Sequence, residues 1–237
     1  MSRPLVDCAP VLEAKDIVLA SLPRQSRLHL SLLPGRRYCV FAGAGGGKSA
    51  FARVLVGESR PASGTISFLA RDVTRLPLWR RARAGLGYLP KWTSILARDT
   101  VKVNVETFLR ASRTVEDAAE QLLEHFQLSS DGETRAGQLA PGPRRRLELL
   151  RVSVLRPRAV VCDEPFFGLS GDESETILAY LRELAGGGAA IVVFDPGTAA
   201  AETFADESYR LEEGRVVPLA PGERRKGGLE LVRCTAG

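Results

Sequence analysis

The chain has 237 residues, 44% of them hydrophobic, and a formal net charge of +5 at pH 7. That size allows one well-filled core, and no apolar run approaches the roughly 18 residues of a membrane-spanning helix, so the composition excludes one. Four cysteines without a C-x-x-C pair, with Cys39 and Cys162 inside apolar runs, favour a reducing compartment. Because no signal-peptide pattern opens the sequence, we expect a cytoplasmic protein. Its arginine clusters are interpreted as solvated surface, and no nucleic-acid partner is expected.

Predicted strands and helices alternate along the chain. Strands are predicted at residues 11–16 and 27–33, and a buried strand at 37–42 leads through a glycine-rich loop into a helix at 49–56. The elements predicted beyond them are a strand at 65–69, a helix at 77–84, a strand at 85–89, a helical stretch at 91–130 with its clearest amphipathic part at 115–126, a helix at 144–155, a strand at 159–162, a helix at 173–184, a strand at 190–194, a hairpin of 210–211 and 215–218, and a polar tail from 221. This alternation predicts an α/β protein with a largely parallel sheet.

Residues 40–49 read VFAGAGGGKS and end as a phosphate-binding P-loop does. The full pattern, G-x-x-x-x-G-K-[ST], requires glycine at position 42, where this chain has Ala42. Backbone N–H groups of the loop are expected to surround phosphate oxygens, and the loop consists of Gly43, Ala44, Gly45, Gly46 and Gly47.

The two residues after the loop supply side-chain chemistry. Lys48 is predicted to reach the β- and γ-phosphates, and Ser49 is predicted to bind Mg²⁺. The positive N-terminal end of the following helix would add to phosphate binding. The alternative is a flexible glycine turn followed by a chance Lys-Ser pair.

A second motif, RAVVCDEP at residues 158–165, places two carboxylates at the end of a buried strand. Asp163 is predicted to bind Mg²⁺, and Glu164 is predicted to act as the catalytic group that orients an attacking water. The alternative is an ordinary strand end with two solvated carboxylates. The two motifs occur in the order that a P-loop nucleotide site requires, so together they predict such a site.

Two longer stretches resemble a known family. Residues 76–90 (LPLWRRARAGLGYLP) and 139–169 (LAPGPRRRLELLRVSVLRPRAVVCDEPFFGL) are similar to the ATP-binding subunits of ABC transporters, especially the lipopolysaccharide-export ATPase and its branched-chain amino-acid-importer relatives. The resemblance spans about residues 11–217. It implies a single ABC-type P-loop NTPase domain, residues 1–237, with a RecA-like core (about 11–90 and 157–217), a helical subdomain (about 91–156) and a polar tail (218–237).

The same resemblance implies cofactors and partners. The cofactors are ATP and Mg²⁺. The partners are transmembrane permease subunits and a second cassette subunit, in a homodimer or a heterodimer. The chain would then lie at the inner face of the cytoplasmic membrane, held there through the permease.

Several positions depart from the family's nucleotide-contacting pattern. The glutamine that joins Mg²⁺ to the permease contact is replaced by Lys91, whose ammonium cannot bind a cation. Lys91 is predicted to contact the nucleotide's γ-phosphate, and the alternative is that it points into solvent. Pro196 replaces the switch histidine, Ser170 replaces an aspartate, and residues 19–21 contain no aromatic ring to stack on adenine.

The signature Leu-Ser-Gly-Gly-Glu reads Leu-Ala-Pro-Gly-Pro at residues 139–143. Ala140 lacks the hydroxyl that would bond the γ-phosphate across a dimer, and Pro141 and Pro143 each lack an N–H. Pro143 is predicted at the first position of the following helix. We expect ATP binding with hydrolysis barely above background. Two functions stay open: an energy-coupling ATPase that drives export of a lipid or lipopolysaccharide-like substrate, or a non-hydrolysing scaffold or regulator.

Overall fold

The structure is a computed structural model that describes residues 9–23, 25–112 and 118–220. The predicted tail from residue 221 and the beginning of the predicted helix 115–126 lie outside the described residues. The strands are β1 (Leu12–Val18), β2 (Leu28–Leu32), β3 (Arg37–Phe41), β4 (Ser63–Phe68), β5 (Arg71–Asp72), β6 (Leu86–Leu89), β7 (Ala159–Asp163), β8 (Ala190–Asp195), β9 (Glu207–Glu212) and β10 (Arg215–Pro218). The helices are α1 (Lys48–Val56), α2 (Leu78–Arg83), α3 (Val101–Ser112), α4 (Ala119–His125), α5 (Pro141–Val154), α6 (Gly171–Gly186) and α7 (Ala199–Phe204).

A six-stranded sheet in the order β10-β9-β3-β8-β7-β6 forms the centre of the fold. All its neighbours pair in parallel except β9 and β10, which confirms the predicted largely parallel sheet. Strands β7 and β8 are buried along their whole length, as strands covered on both faces are. Since β3, β7 and β8 are adjacent and parallel, the loops after their carboxyl ends meet at one edge.

A second, antiparallel sheet in the order β2-β1-β4-β5 packs on one face of the first. Its strands bury alternate residues, as in β2, where Leu28, Leu30 and Leu32 are buried and the residues between them are exposed. Side chains on the two faces of the central sheet enter two different cores. Val40 and Val161 pack with this second sheet and α1, whereas Cys39 and Cys162 pack with α3, α5 and α6. Both of these thiols are free and buried, as predicted.

The predicted helix is wrong for residues 91–100, which form no helix before α3 begins at Val101. Buried polar side chains from later helices bond the backbone of this segment instead. Asn104, fully buried, accepts from the Leu96 N–H at 2.8 Å and donates to the Leu96 carbonyl at 3.0 Å. Arg145 donates to the carbonyl oxygens of Pro90 and Lys91 at 2.7 and 3.2 Å. These tertiary hydrogen bonds replace those that a helix would have made.

Other predicted boundaries also change. Helix α5 begins at Pro141, so Pro141 rather than Pro143 takes its first position. Helix α6 begins at Gly171, two residues before the predicted start. Helix α7 and the short strand β5 were not predicted, and β9 is longer than the predicted 210–211.

Two residues of the arginine clusters are structural and not solvated surface: Arg145, whose hydrogen bonds are given above, and Arg81. Arg81 is only 1% exposed and donates to the carbonyl oxygens of Val54, Leu55, Leu76 and Thr74 at 2.6–3.1 Å. It therefore satisfies carbonyl groups at the carboxyl end of α1, where a positive charge is also favoured. Burial lowers the pKa of Arg81 to about 10.

Arg81→Ala is expected to lower the free energy of unfolding by about 2 kcal/mol, because it leaves several buried carbonyl groups unpaired. Urea denaturation measures the change. The matched control is Arg80→Ala on the same helix, which removes an exposed charge and is expected to change stability by less than about 0.5 kcal/mol. Equal losses in the two variants would contradict a structural role for Arg81.

Candidate nucleotide site

The glycine-rich loop joins the end of β3 to the start of α1. Gly45 and Gly47 have φ of 75° and 87°, in the left-handed region that glycine adopts without steric cost. A Cβ on Gly47 would lie 3.3 Å from the side chain of Leu22. The first three loop residues, Gly43, Ala44 and Gly45, are exposed. The loop is thus an open backbone turn at the positive end of a helix.

Ala42 does not disturb this geometry. It is buried, has no positive φ, and its N–H donates to the carbonyl of Asp195 at 3.2 Å. A Cβ on Gly46 would lie 3.1 Å from the Ala42 Cβ, so the methyl group fits because position 46 is glycine. The departure at position 42 therefore leaves the loop intact.

Glu164 lies between two lysine side chains. Its Oε1 is 3.1 Å from Lys48 Nζ and its Oε2 is 2.8 Å from Lys91 Nζ. Lys48 also donates to the carbonyl oxygens of Ala42 and Gly43 at 3.1 and 3.5 Å. The alternative that Lys91 points into solvent is wrong, because its side chain is 25% exposed and ion-paired. We call Lys48, Glu164 and Lys91 the lysine–glutamate cluster.

The environment of Glu164 sets its charge and conformation. Burial alone would raise the pKa of Glu164, but hydrogen bonds and charge from Lys91 and Lys48 hold it below the ordinary value. Glu164 is therefore an ionised carboxylate and a weak base at neutral pH. Its φ of 46° is left-handed, a conformation that costs on the order of 1 kcal/mol or more in a residue with a Cβ. Its N–H donates to the Phe194 carbonyl on β8 at 2.8 Å, which helps to hold this turn.

The two predicted Mg²⁺ ligands lie side by side. Ser49 Oγ donates to Asp163 Oδ1 at 3.0 Å. Adjacent oxygens around an octahedral Mg²⁺, with bonds of about 2.1 Å, are also about 3 Å apart, so this hard-oxygen pair fits the ion. Burial raises the pKa of Asp163, and the hydrogen bond from Ser49 partly opposes that rise. An ion bound here would relieve the cost of this buried negative charge.

Lys48, Ser49, Lys91 and Glu164 line a cavity of about 470 Å³ at the mouth of the glycine loop, whereas Asp163 lines a neighbouring groove. The cavity lining contains no aromatic side chain and consists of Ser21, residues 44–50, Arg53, Lys91, Glu164 and Pro196. Gly43 lies outside this lining, on a different pocket beside Ala42 and Pro196. The cavity can thus hold phosphate groups, but the part of the chain that the structure describes places no ring in it on which a base could stack.

Between its two prolines the signature segment has one N–H, in the first turn of α5, and that group already has a partner. Gly142 N–H donates to Glu173 Oε1 at 3.1 Å. The second oxygen of Glu173 accepts from the Ser170 N–H at 2.9 Å, and Ser170 Oγ accepts from the Glu173 N–H at 3.3 Å. The hydrogen bonds from Ser170 and Gly142 lower the pKa of Glu173. A carboxylate of the same chain therefore occupies the amino end of α5.

Sequence reasoning missed Glu173, although its signal was present. Serine followed three residues later by glutamate is a capping box, which predicts a helix start at Ser170. The contact with Gly142 had no signal, because it joins two distant segments. It also needs glycine there, since a Cβ at position 142 would overlap the Glu173 side chain.

Glu173→Ala is expected to lower the free energy of unfolding by about 1 kcal/mol and to speed hydrogen exchange at the Gly142 amide, since the bonds that the carboxylate accepts from Ser170 and Gly142 are both lost. The matched control is Asp172→Asn, which removes a charge from the same first turn and leaves the Gly142 bond intact. Amide exchange followed by NMR measures the difference. An unchanged Gly142 rate in Glu173→Ala would show that the bond contributes nothing in solution.

A glycine loop at a helix start, with its lysine facing two carboxylates at the end of a parallel strand, defines a P-loop nucleotide-binding protein. A family model for ABC transporters matches residues 26–167. The chain belongs to the ABC transporter family and has its α/β P-loop NTPase fold. Proteins of this family bind ATP, and their cassettes dimerise and work with transmembrane permeases. Among the described residues, no helix is long and apolar enough to cross a membrane.

Three of the similar proteins are named as ATP-binding proteins of export systems. The lipopolysaccharide export system ATP-binding protein LptB of Acidithiobacillus ferridurans is 33% identical over 177 residues, 73% of each chain. LptB of Haemophilus influenzae is 27% identical and covers 81% of this chain and 82% of its own. The Nod factor export ATP-binding protein I of Rhizobium etli is 32% identical over 88% of this chain and 66% of its own.

Solved structures share the fold. The ADP conformation of MJ1267, an ATP-binding cassette of an ABC transporter, has a TM-score of 0.78 at 19% identity and covers 90% of this chain and 92% of its own. The dimeric post-hydrolysis state of the cassette MJ0796, bound to ADP and Pi, has a TM-score of 0.75 at 18% identity and covers 86% of this chain and 96% of its own.

Proposed function

We propose that the chain is the ATP-binding subunit of an exporter for a lipid or lipopolysaccharide-like substrate, docked on a membrane permease. The convergence of Lys48, Ser49, Asp163 and Glu164 at the mouth of the glycine loop carries the proposal. The substrate class comes from the relatives that are named for lipopolysaccharide and Nod factor export.

In this proposal each side chain has one task. The N–H groups of the loop and Lys48 bind the β- and γ-phosphates. Ser49 and Asp163 hold Mg²⁺, which neutralises phosphate charge when bound. Lys48 has to exchange its contact with Glu164 for a phosphate oxygen, so nucleotide binding and the lysine–glutamate cluster compete.

The docking site for the permease is proposed in a groove of about 830 Å³ beside the phosphate cavity. The groove shares Ser49, Arg53 and Lys91 with that cavity, so a segment bound there lies next to the nucleotide. The exposed ring of Trp92 lines it, and Lys91 Nζ lies 4.4 Å from the ring centroid of Phe167 and 5.6 Å from that of Trp92. Movement of Lys91 is therefore a direct route between the two sites.

A second candidate function is that of a non-hydrolysing scaffold or regulator beside an intact cassette subunit. Two observations favour it. Two lysines form ion pairs with the Glu164 carboxylate and lower its pKa, which weakens it as a general base. Glu173 already accepts the Gly142 N–H at the amino end of α5, so a partner's γ-phosphate would have to displace this carboxylate to reach that donor.

Calorimetry tests nucleotide binding. We expect ATP to bind weakly with Mg²⁺ and with little preference over GTP, because a stacked base contributes on the order of 1–3 kcal/mol where an aromatic ring is present. Asp163→Asn is the matched variant and is expected to remove the Mg²⁺ dependence. Tight adenine-selective binding, or binding indifferent to Mg²⁺ in the unmodified chain, would contradict the proposed site.

Co-expression with a permease encoded beside the gene tests the transporter role. We expect the chain to move to the membrane fraction with the permease. ATP turnover is then measured with and without the permease. Turnover that the permease stimulates would support the coupling ATPase. Association without turnover would support the scaffold, and failure to associate would overturn both.

A further inference from the structure

Helix α2 carries an arginine cluster that the nucleotide site does not use. Arg81 points inward, but its neighbours Arg80 and Arg83 are exposed and lie beside the ring of Trp79, with guanidinium carbons 5.1 and 5.2 Å from its centroid. The Trp79 side chain is 52% exposed. Within residues 9–23, 25–112 and 118–220, neither Arg80 nor Arg83 has a carboxylate at ion-pair distance. We call Trp79, Arg80 and Arg83 the α2 patch.

The α2 patch lies beside the groove proposed for the permease. Leu78 and Ala82, one helical turn apart on α2, line that groove, whereas the three patch residues line neither the groove nor the phosphate cavity. Helix α2 is therefore a rim, with one side in the groove and the other outside it. A groove that holds part of a membrane protein faces the membrane, so the outer side of this rim lies near the lipid surface. This orientation rests on the proposed function.

We propose that the α2 patch binds the anionic headgroups of the membrane surface. An indole ring with an apolar body and one N–H is suited to the headgroup level of a bilayer. Guanidinium groups bind phosphate through two parallel N–H donors, and stacking on an indole leaves those donors free. An exposed ring beside two arginines that have no ion pair within the described residues thus combines the two chemistries that a phospholipid headgroup region recognises.

A lipid surface fits the patch better than an acidic protein segment does. A protein segment is normally recognised through a concave site that buries an anchor side chain, whereas the patch lies outside both cavities described above. Electrostatic attraction to a charged surface needs no pocket, only unpaired positive charge at the surface.

The expected affinity is modest. Each arginine near an anionic leaflet contributes about fivefold in binding, so two contribute on the order of twentyfold, with a smaller contribution from the ring. The contact therefore orients a cassette that a permease already holds and does not anchor it alone. Binding should weaken as salt rises.

Sedimentation of the purified full chain with vesicles tests the proposal without a permease or nucleotide. The vesicles contain phosphatidylglycerol and phosphatidylcholine, with pure phosphatidylcholine as the neutral comparison. We expect binding to the anionic vesicles only, a loss of roughly twentyfold in Arg80→Ala/Arg83→Ala, and a loss of several-fold in Trp79→Ala. The matched control, Arg98→Ala/Arg215→Ala, removes the same charge from exposed positions before α3 and on β10 and is expected to lose much less.

Three results would overturn the proposal. They are binding of the patch variant equal to that of the unmodified chain, a loss in the control equal to that in the patch variant, and no binding of the unmodified chain to anionic vesicles. If vesicle binding is absent but the patch variant dissociates from a co-expressed permease, the partner of the patch is a protein. Because the vesicles contain no protein, failure here leaves the permease test of the proposed function unaffected. Unchanged thermal unfolding checks that each variant is folded.

Discussion

Lys48→Ala is expected to lower ATP affinity at least a hundredfold, while Glu164→Gln is expected to raise it about tenfold. Lys48 is the buried cation of the glycine loop, and two charge-assisted hydrogen bonds to phosphate oxygens contribute about 1.5–3 kcal/mol each. Glu164 forms an ion pair with Lys48 at 3.1 Å, and its negative charge would repel a γ-phosphate that binds the same lysine. Glutamine keeps the shape but removes the charge. Calorimetry with a non-hydrolysable ATP analogue measures both changes.

The two substitutions are expected to change ATP affinity in opposite directions, which makes this prediction specific to the lysine–glutamate cluster. Glu58→Gln is the matched control, because it removes one exposed carboxylate from the groove and leaves the cluster intact. It is expected to change affinity less than twofold, within the small contribution of an exposed charge. A loss of affinity in Glu164→Gln would mean that Glu164 helps to hold the nucleotide and does not compete with it.

The sequence predicts the site where its signals are local. The glycine loop, Lys48 and Ser49 are contiguous, and Asp163 and Glu164 end a buried apolar run, so strand, loop and helix patterns are sufficient to place them. Parallel strands then bring the two motifs to one edge of the sheet. The distance of 3.0 Å between Ser49 and Asp163 agrees with that expectation.

Side-chain contacts between residues that are far apart in the sequence could not be predicted from local sequence patterns. Lys91 was placed at the nucleotide site by resemblance, but its bond to Glu164 depends on how the segment after β6 is held. Arg145 and Asn104 hold that segment through its backbone, which is also why the predicted helix over 91–100 fails. The sequence also does not predict which strands form the antiparallel sheet and which form the parallel one, because both kinds of strand are short apolar runs in the sequence.

Restoration of the family's missing groups on both sides of the dimer is expected to raise ATP turnover at least a hundredfold over the unmodified chain. Turnover of that chain is expected to be barely above background. One preorganised donor can account for a hundredfold or more in rate. Lys91→Gln/Pro196→His restores the family's glutamine and switch histidine beside the nucleotide's phosphates. It also removes one of the two lysines that are ion-paired with Glu164. Ala140→Ser/Pro141→Gly restores a hydroxyl and an N–H at the signature.

Neither pair alone is expected to raise turnover more than a few-fold, because in this family each site combines one chain's glycine loop with the other chain's signature. The four-residue variant in a phosphate-release assay is the decisive measurement, and addition of Glu164→Gln to it should abolish the gain. Robust turnover of the unmodified chain that Glu164→Gln abolishes would show that the substitutions at positions 91, 140, 141 and 196 do not disable the site. A four-residue variant that folds, binds ATP and stays at background would place the defect elsewhere, with the Glu173 carboxylate at the amino end of α5 the first group to replace.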